Sequence, residues 1–78
     1  MGDRIEVRLP DLGEVEEVTI TSWLKAEGEH VAAGEDLLEV ETEKTTFVVE
    51  APAAGRIARI LKQEGEKAKR DELLAEID

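Results

Sequence analysis

The sequence predicts a single small all-β domain, folded as a flattened barrel or sandwich of two antiparallel sheets with about four strands each. Three observations lead to this fold class. The chain has 78 residues, which is enough for one hydrophobic core. Its apolar residues fall mainly in short runs of alternating pattern between turns that contain Gly or Pro. The chain also repeats itself, which predicts two equivalent half-units, about 3–41 and 45–78, related by a quasi-twofold axis.

The internal repeat is plainest where residues 23–41 are laid over residues 60–78 without a gap. The identical pairs are Leu24/Leu61, Lys25/Lys62, Glu27/Glu64, Gly28/Gly65, Glu29/Glu66, Glu35/Glu72, Leu37/Leu74 and Glu39/Glu76. Residues 3–13 and 45–55 align as well, provided that the first half holds five extra residues, 14–18 (EVEEV). These extra residues predict that one loop of the first half is enlarged.

The first half contains three candidate strands. Residues 5–9 (IEVRL) alternate apolar and charged side chains, which is the period of a half-buried strand. Residues 18–23 (VTITSW) continue this pattern, and a turn is predicted at Glu27-Gly28-Glu29. Residues 38–42 (LEVET) then form the third strand of the half.

The second half repeats this order, with candidate strands at 45–50 (TTFVVE), 56–61 (RIARIL) and 73–77 (LLAEI). Residues 67–77 are also rich in helix formers, so a helix competes with a strand there. The equivalent residues 30–40 include Val31, Gly34 and Val40 and form a helix poorly. The repeat therefore favours a loop followed by a strand in both halves.

Composition limits the core and the classes of function. Apolar residues make up 41% of the chain and aromatic residues 3%, so we expect an aliphatic core, with Trp23 and its repeat partner Ile60 inside. A formal net charge of −10 repels phosphate backbones and anionic lipid, which argues against nucleic acid and membrane partners. The chain has no Cys and its one histidine is His30, which we expect at the surface, so we assign no catalytic residue and no metal ligand.

No run of 18 apolar residues and no apolar signal core occurs in the sequence. We therefore expect a soluble intracellular protein, cytoplasmic in a prokaryote and in the mitochondrial matrix in a eukaryote. The isolated domain is expected to be a monomer.

The segment that joins the two halves, residues 41–46 (ETEKTT), predicts a hairpin with Lys44 at its tip. Lys44 is the only basic residue between His30 and Gly55. Taken alone, such a lysine would be a solvated charge that pairs with Glu41 or Glu43 and contributes well under about 1 kcal/mol. Its place at the apex of the repeat favours a functional role.

The sequence resembles the lipoyl domains of the acyltransferase components of 2-oxo acid dehydrogenase complexes. The resemblance covers nearly the whole chain and rests on LPDLGE (9–14), the EGE turn with V-x-x-G-E (27–35), LLEVETEKTTFVVEAPAAG (37–55) and the closing Gly-Arg-Ile, Glu-Gly-Glu and Leu-Leu pattern. In that family, lipoate is attached to the lysine of a Glu-Thr-Asp-Lys-Ala motif. Lys44 occupies this place, with Glu43 instead of Asp and Thr45 instead of Ala.

The resemblance implies a carrier that catalyses nothing itself. Lys44 would hold lipoate through an amide, as a swinging arm of about 14 Å if its bonds are of ordinary length. The implied partners are a lipoate ligase, a thiamine-dependent 2-oxo acid decarboxylase, an acyltransferase core and a flavin-containing dihydrolipoyl dehydrogenase. The pair Thr45-Thr46 favours the 2-oxoglutarate type of complex. Both a free-standing carrier and the first domain of a longer chain fit the sequence.

Two groups of residues are candidates for recognition. Glu43 and Thr45 flank the target lysine and are expected to be read by the ligase. The enlarged loop should lie near the hairpin tip, where the family's partner enzymes recognise the domain, and its candidate residues are Leu12, Gly13, Glu14, Glu16 and Glu17. The alternative for this loop is that its carboxylates are merely solvated.

Two other functions stay open. A biotinyl carrier domain of a carboxylase shares the hairpin lysine, but it places the lysine between two methionines, and the one methionine here is Met1. An unmodified β sandwich that docks other proteins through its acidic face is the second alternative. It predicts that Lys44→Arg changes nothing, whereas a carrier would lose all modification.

Overall fold

The computed structural model describes residues 4–78, and these contain eight β-strands and no helix. The strands are β1 Ile5–Arg8, β2 Glu17–Trp23, β3 His30–Val31, β4 Asp36–Glu41, β5 Thr46–Glu50, β6 Gly55–Ile60, β7 Lys67–Lys69 and β8 Leu73–Ile77. They form two four-stranded sheets in the orders β1-β8-β6-β3 and β5-β4-β2-β7, with every pairing antiparallel. The predicted all-β fold class is confirmed. Residue 3, where the first half-unit is predicted to begin, lies outside the described residues.

The quasi-twofold symmetry is visible in the strand order itself. Replacing each strand of the first sheet by the strand four places away along the chain produces the order of the second sheet. Each sheet therefore takes two strands from each half, so that neither half forms a sheet alone. Burying the apolar faces of both sheets requires the two halves together.

Two strands were not expected from the sequence, because β3 and β7 lie where a loop is predicted. They have two and three residues, and each turns only one side chain inward, Val31 in β3 and Ala68 in β7. A strand with only one inward-facing residue is too short to show the alternation of apolar and polar residues by which strands are recognised in a sequence. Both strands exist because they pair with the other half, β3 with β6 and β7 with β2.

The core between the sheets is aliphatic, as predicted. The buried apolar residues are Val7, Leu9, Val18, Ile20, Val31, Leu37, Leu38, Val40, Val49, Ala51, Ile57, Ala68, Leu74, Ala75 and Ile77, and no polar side chain in residues 4–78 is buried. The expectation that Trp23 and Ile60 lie inside is wrong in part, because both are half-buried and pack against the core from its rim. The indole Nε1 of Trp23 donates to the carbonyl oxygen of Lys62 at 2.7 Å, so the ring pairs its N–H with the backbone at the rim while it packs against the core.

Two glutamates of the repeat join the halves reciprocally. The backbone N–H of Ile60 donates to Glu27 Oε2 at 2.7 Å, and the backbone N–H of Trp23 donates to Glu64 Oε2 at 3.0 Å. Each glutamate thus accepts a hydrogen bond from the rim residue of the opposite half. These two hydrogen bonds explain why both halves of the repeat have a glutamate at this position. The role of Glu27 and Glu64 is structural.

Two ion pairs of the repeat stabilise the loops in the same symmetric way. Lys25 Nζ lies 2.8 Å from Glu35 Oε2, and its equivalent Lys62 Nζ lies 2.8 Å from Glu72 Oε2. Each carboxylate also accepts a backbone N–H one turn earlier in its loop. The side-chain hydrogen bond from the lysine, with that backbone N–H as the next contribution, lowers the pKa of Glu35 and of Glu72 below its usual value.

Acidification is therefore expected to weaken the fold through these two carboxylates. Because their pKa is lower in the folded state, their contribution is present above the unfolded pKa of about 4.3 and is lost as the pH falls through the folded value. Urea unfolding midpoints measured from pH 7 to pH 3 should fall more steeply for the wild type than for the double variant Glu35→Gln, Glu72→Gln. The amides keep an oxygen acceptor for the backbone N–H but do not titrate, so equal slopes would contradict this assignment.

Asp71 adopts a left-handed backbone conformation, with φ 65°, at the position where the other half has Gly34 with φ 85°. A side chain in this region costs about 1–2 kcal/mol, somewhat less for Asp than for most residues. Asp71→Gly is therefore expected to raise the free energy of unfolding by about 0.5–1 kcal/mol after the larger backbone entropy of Gly is subtracted. Denaturant unfolding measures the change, and the reverse swap Gly34→Asp should be destabilising. A less stable D71G variant would mean that the Asp71 side chain supports its loop.

Candidate functional site

The site forms at the hairpin between β4 and β5. These strands are paired antiparallel out to Glu41 and Thr46, which leaves residues 42–45 as the connecting turn. The turn is closed by the backbone N–H of Thr42, which donates to the carbonyl oxygen of Thr45 at 2.8 Å. Lys44 is exposed within this turn, so the prediction of a lysine at a hairpin tip is confirmed.

The amine of Lys44 is free of ion pairs in the part of the chain that the structure describes. Neither Glu41 nor Glu43 approaches its Nζ within 4.0 Å, although both were the expected partners of an ordinary surface lysine. The charged end of Lys44 is therefore held only by solvent. An incoming enzyme would break no protein contact to reach the nitrogen.

Thr42 holds the turn together and was missed in the sequence. Its Oγ1 accepts the backbone N–H of Lys44 at 3.2 Å and that of Thr45 at 3.1 Å, and it donates to the carbonyl oxygen of Thr45 at 3.0 Å. A signal was available, because threonine commonly bonds to the backbone of the turn that it precedes. The residues predicted from the sequence to be recognised were Glu43 and Thr45, on either side of the lysine, and Thr42 was not among them.

A groove of about 750 Å³ lies beside the turn. One wall comes from the enlarged loop and the start of β2, and the other comes from the hairpin tip. Its lining residues are Glu14, Val15, Glu16, Glu17, Val18, Thr19, Glu41, Thr42, Glu43, Lys44, Thr45, Phe47 and Lys67. The enlarged loop therefore lies beside the lysine, where it was expected.

The predicted recognition residues divide into two sets. Glu14, Glu16 and Glu17 line the groove together with Glu43 and Thr45. Leu12 and Gly13 do not line the groove.

Leu12 and Gly13 instead shape the base of the enlarged loop. Leu12 is half-buried against the core and forms a β-bridge with Val15. Gly13 has φ 81° and donates its N–H to Asp11 Oδ1 at 2.9 Å, which defines a tight turn. Both residues therefore support the loop that carries the three glutamates.

The groove is strongly acidic. Five carboxylates surround it, against the two cations Lys44 and Lys67. Lys67 Nζ is 3.9 Å from Glu17 Oε1, so it neutralises part of one wall only.

The other candidate features have simple structural positions. His30 is exposed in β3, as expected. Within residues 4–78, no three His, Asp or Glu side chains are grouped so that they could hold a metal ion. The same residues include no helix that is long and apolar enough to cross a membrane.

Comparison with known proteins identifies the family. A family model for biotin and lipoyl attachment domains, described as "Biotin-requiring enzyme", matches residues 5–77. The chain belongs to the biotinyl/lipoyl attachment family. This match includes both half-units in nearly their full length and the hairpin with Lys44.

Sequence relatives within this family include acyltransferase components of 2-oxo acid dehydrogenase complexes. The chain is 43% identical over 75 residues to the dihydrolipoyllysine-residue succinyltransferase component of the 2-oxoglutarate dehydrogenase complex of Cupriavidus necator, covering 95% of this chain and 18% of the relative. It is 48% identical over 64 residues to the acetyltransferase component of the pyruvate dehydrogenase complex of Corynebacterium glutamicum, covering 81% of this chain and 10% of the relative. The chain thus spans less than a fifth of the length of either relative.

Solved structures show the same fold in two kinds of protein. The lipoyl domain of the 2-oxoglutarate dehydrogenase complex of Azotobacter vinelandii aligns with a TM-score of 0.77 and 35% identity, covering 95% of both chains. The urea carboxylase of Kluyveromyces lactis aligns with a TM-score of 0.85 and 26% identity, covering 100% of this chain and 6% of that chain. The fold is therefore shared with part of a carboxylase, whereas the sequence matches favour the lipoyl domains over the biotinyl alternative. The resemblance seen in the sequence is confirmed.

Proposed function

We propose that this domain is a non-catalytic carrier in which Lys44 holds lipoate through an amide bond. The observation that supports this function is the place of Lys44, exposed and without an ion pair at the tip of a hairpin between the two half-units. A primary amine in this position fits the carboxyl group of lipoate: once a ligase has activated that carboxyl group with ATP, the neutral Nζ attacks it and displaces the activating group to form the amide. No other residue of the chain is needed as a covalent attachment point.

Lipoate, when bound, supplies a dithiolane disulfide whose reduction to the dithiol takes up electrons together with an acyl group, and this cysteine-free chain has no such sulfur of its own. The protein supplies presentation. The β4–β5 ladder carries the attachment point away from the aliphatic core, and the hydrogen-bonded turn limits its motion. A rigid tip reduces the conformational entropy that is lost each time the arm enters an active site.

The partners follow from the relatives. We propose that the domain serves a 2-oxo acid dehydrogenase complex with a thiamine-dependent decarboxylase, an acyltransferase core, a flavin-containing dihydrolipoyl dehydrogenase and a lipoate ligase. The 2-oxoglutarate complex is favoured by the Cupriavidus necator relative and by the Azotobacter vinelandii lipoyl domain. The relatives are bacterial, which supports a cytoplasmic location. We expect the domain itself to be monomeric.

Recognition is proposed to use both walls of the groove. Glu43 and Thr45 lie beside the target amine, where a ligase would contact them. Glu14, Glu16 and Glu17 form the opposite wall, where a decarboxylase would meet them as a negative surface. Leu12 and Gly13 are proposed to act indirectly, by keeping this wall in place.

Intact mass measurement tests the attachment. The domain is produced without modification and incubated with ATP and either lipoate plus lipoate ligase or biotin plus biotin ligase. We expect one lipoyl group, located on Lys44 by peptide fragmentation, and no biotin. Biotin on Lys44, or lipoate on another lysine, would refute the proposal.

Reductive acylation tests the choice of complex. The lipoylated domain is offered to purified decarboxylases specific for 2-oxoglutarate, pyruvate and branched-chain 2-oxo acids, each with its own substrate. The 2-oxoglutarate enzyme is expected to acylate the domain fastest. A faster reaction with the pyruvate enzyme would contradict this choice and would assign the domain to a pyruvate dehydrogenase complex, the complex of the Corynebacterium glutamicum relative.

A further inference from the structure

Thr42 is the side chain that organises the turn around Lys44. Its hydroxyl has one donor and two acceptor positions, and all three are used inside this turn. It accepts from the backbone N–H groups of Lys44 and Thr45 and donates to the carbonyl oxygen of Thr45. The backbone of the modified residue is thereby tied to the end of β4.

The other side chains of the turn do not share this task. The hydroxyl of Thr45 makes one long contact of 3.5 Å, to the carbonyl oxygen of Thr46, which is outside the turn. The carboxylate of Glu43 makes no hydrogen bond to the backbone of residues 42–45. Without the Thr42 hydroxyl, only the backbone bond between Thr42 and Thr45 would close the turn.

We propose that Thr42 is a positioning residue for lipoylation: its hydroxyl holds the turn in the conformation in which a ligase accepts Lys44. This inference rests on the proposed function of Lys44. Thr42 acts through the backbone, since its hydroxyl is engaged by the turn and is not left free to contact the ligase.

The size of the effect follows from the three hydrogen bonds of the Thr42 hydroxyl, all of which are lost with it. Each such bond contributes only a modest net stabilisation, because water replaces it when it breaks. Losing all three shifts the turn toward other conformers and reduces the fraction that is ready to bind, which raises the apparent dissociation constant by the same factor. Removing the hydroxyl should therefore lower kcat/KM for ligase modification about tenfold, since a tenfold change corresponds to about 1.4 kcal/mol.

Three variants separate this role from general stability. Thr42→Val keeps the shape of the side chain and removes the hydroxyl, whereas Thr42→Ser keeps the hydroxyl. Thr46→Val makes the same change at the first residue of β5, where the described structure shows no hydrogen bond to the hydroxyl. The rate of lipoylation is measured by mass spectrometry at several domain concentrations. The order of the turn is measured without any ligase, by ¹⁵N relaxation of the amides of Lys44 and Thr45.

We expect T42V to lose about tenfold in kcat/KM, mostly through KM, and to show increased motion at both amides. T42S and T46V should stay near the wild type, and all variants should remain folded in the absence of denaturant. Wild-type rates with unchanged amide relaxation in T42V would overturn the proposal. If the wild type itself is not lipoylated, the proposed function of Lys44 fails, and the relaxation data still decide whether Thr42 orders the turn.

Discussion

Lys44→Arg is expected to abolish lipoylation completely while leaving the fold unchanged. Arginine retains a positive charge and a long flexible stem, so the electrostatics of the hairpin tip are preserved. Its guanidinium stays protonated and does not offer the neutral primary amine that amide formation requires. Lys44 is exposed and makes no ion pair in the described structure, so the loss of its amine has no structural cost.

The measurement is intact mass after incubation with lipoate, ATP and ligase, followed by reductive acylation with the decarboxylase. Neither product should form with K44R, and the urea unfolding curve should overlay that of the wild type. Lys69→Arg is the matched control, because it makes the same change at an exposed lysine of β7. Residual lipoylation of K44R would place the attachment point on another lysine. An unfolded K44R would show that the lysine is structural.

Gly55→Ala is expected to cause the largest loss of stability among the glycine substitutions in the described chain. A Cβ at this position would collide with the carbonyl oxygen of Asp78 and with Cγ2 of Ile77. Gly55 begins β6, whose neighbours on either side are β3 and the C-terminal strand β8. Making room for a methyl group would move β8, which carries the buried Leu74, Ala75 and Ile77. We expect a loss of about 3 kcal/mol or more in the free energy of unfolding.

Gly28→Ala provides the control for this steric effect. Gly28 has φ 88°, so alanine is strained there, but a Cβ would meet no atom within 4 Å. Its cost is therefore expected to be near 1 kcal/mol and purely conformational. Urea unfolding of both variants measures the difference. If G55A were no less stable than G28A, the close approach between β6 and the end of the chain would not limit stability.

The internal repeat explains how much of the fold was readable from the sequence. The alternating pattern located six of the eight strands, and the repeat argued correctly against a helix over residues 67–77. Identical residues of the two halves turned out to perform identical structural tasks. Glu27 and Glu64 bind the opposite half, and Glu35 and Glu72 close their own loops. Repeat identity therefore marked structural residues.

The proposed attachment residue, by contrast, has no counterpart in the repeat. Lys44 has no structural task and lies between the half-units, so position and resemblance identified it. The acidic wall formed by Glu14, Glu16 and Glu17 came from the only insertion in the repeat. The features that the two halves do not share, the joining hairpin and the inserted loop, were therefore a better guide to the candidate site than the residues that repeat.

The sequence by itself determined six of the strands, the turns, the symmetry and the place of Lys44, because these depend on side-chain period and turn chemistry among near neighbours. The tertiary structure alone decided that β3 and β7 exist, that Trp23 lies at the rim of the core and that Leu12, a predicted recognition residue, packs under its loop. It also decided that the Thr42 hydroxyl makes its hydrogen bonds to the backbone of the turn. Each of these outcomes depends on contacts between residues that are brought together only by folding. A distant strand, or the closed hairpin, supplies the hydrogen-bond partner or covers the apolar surface. Such partners are chosen only when the two halves pack together.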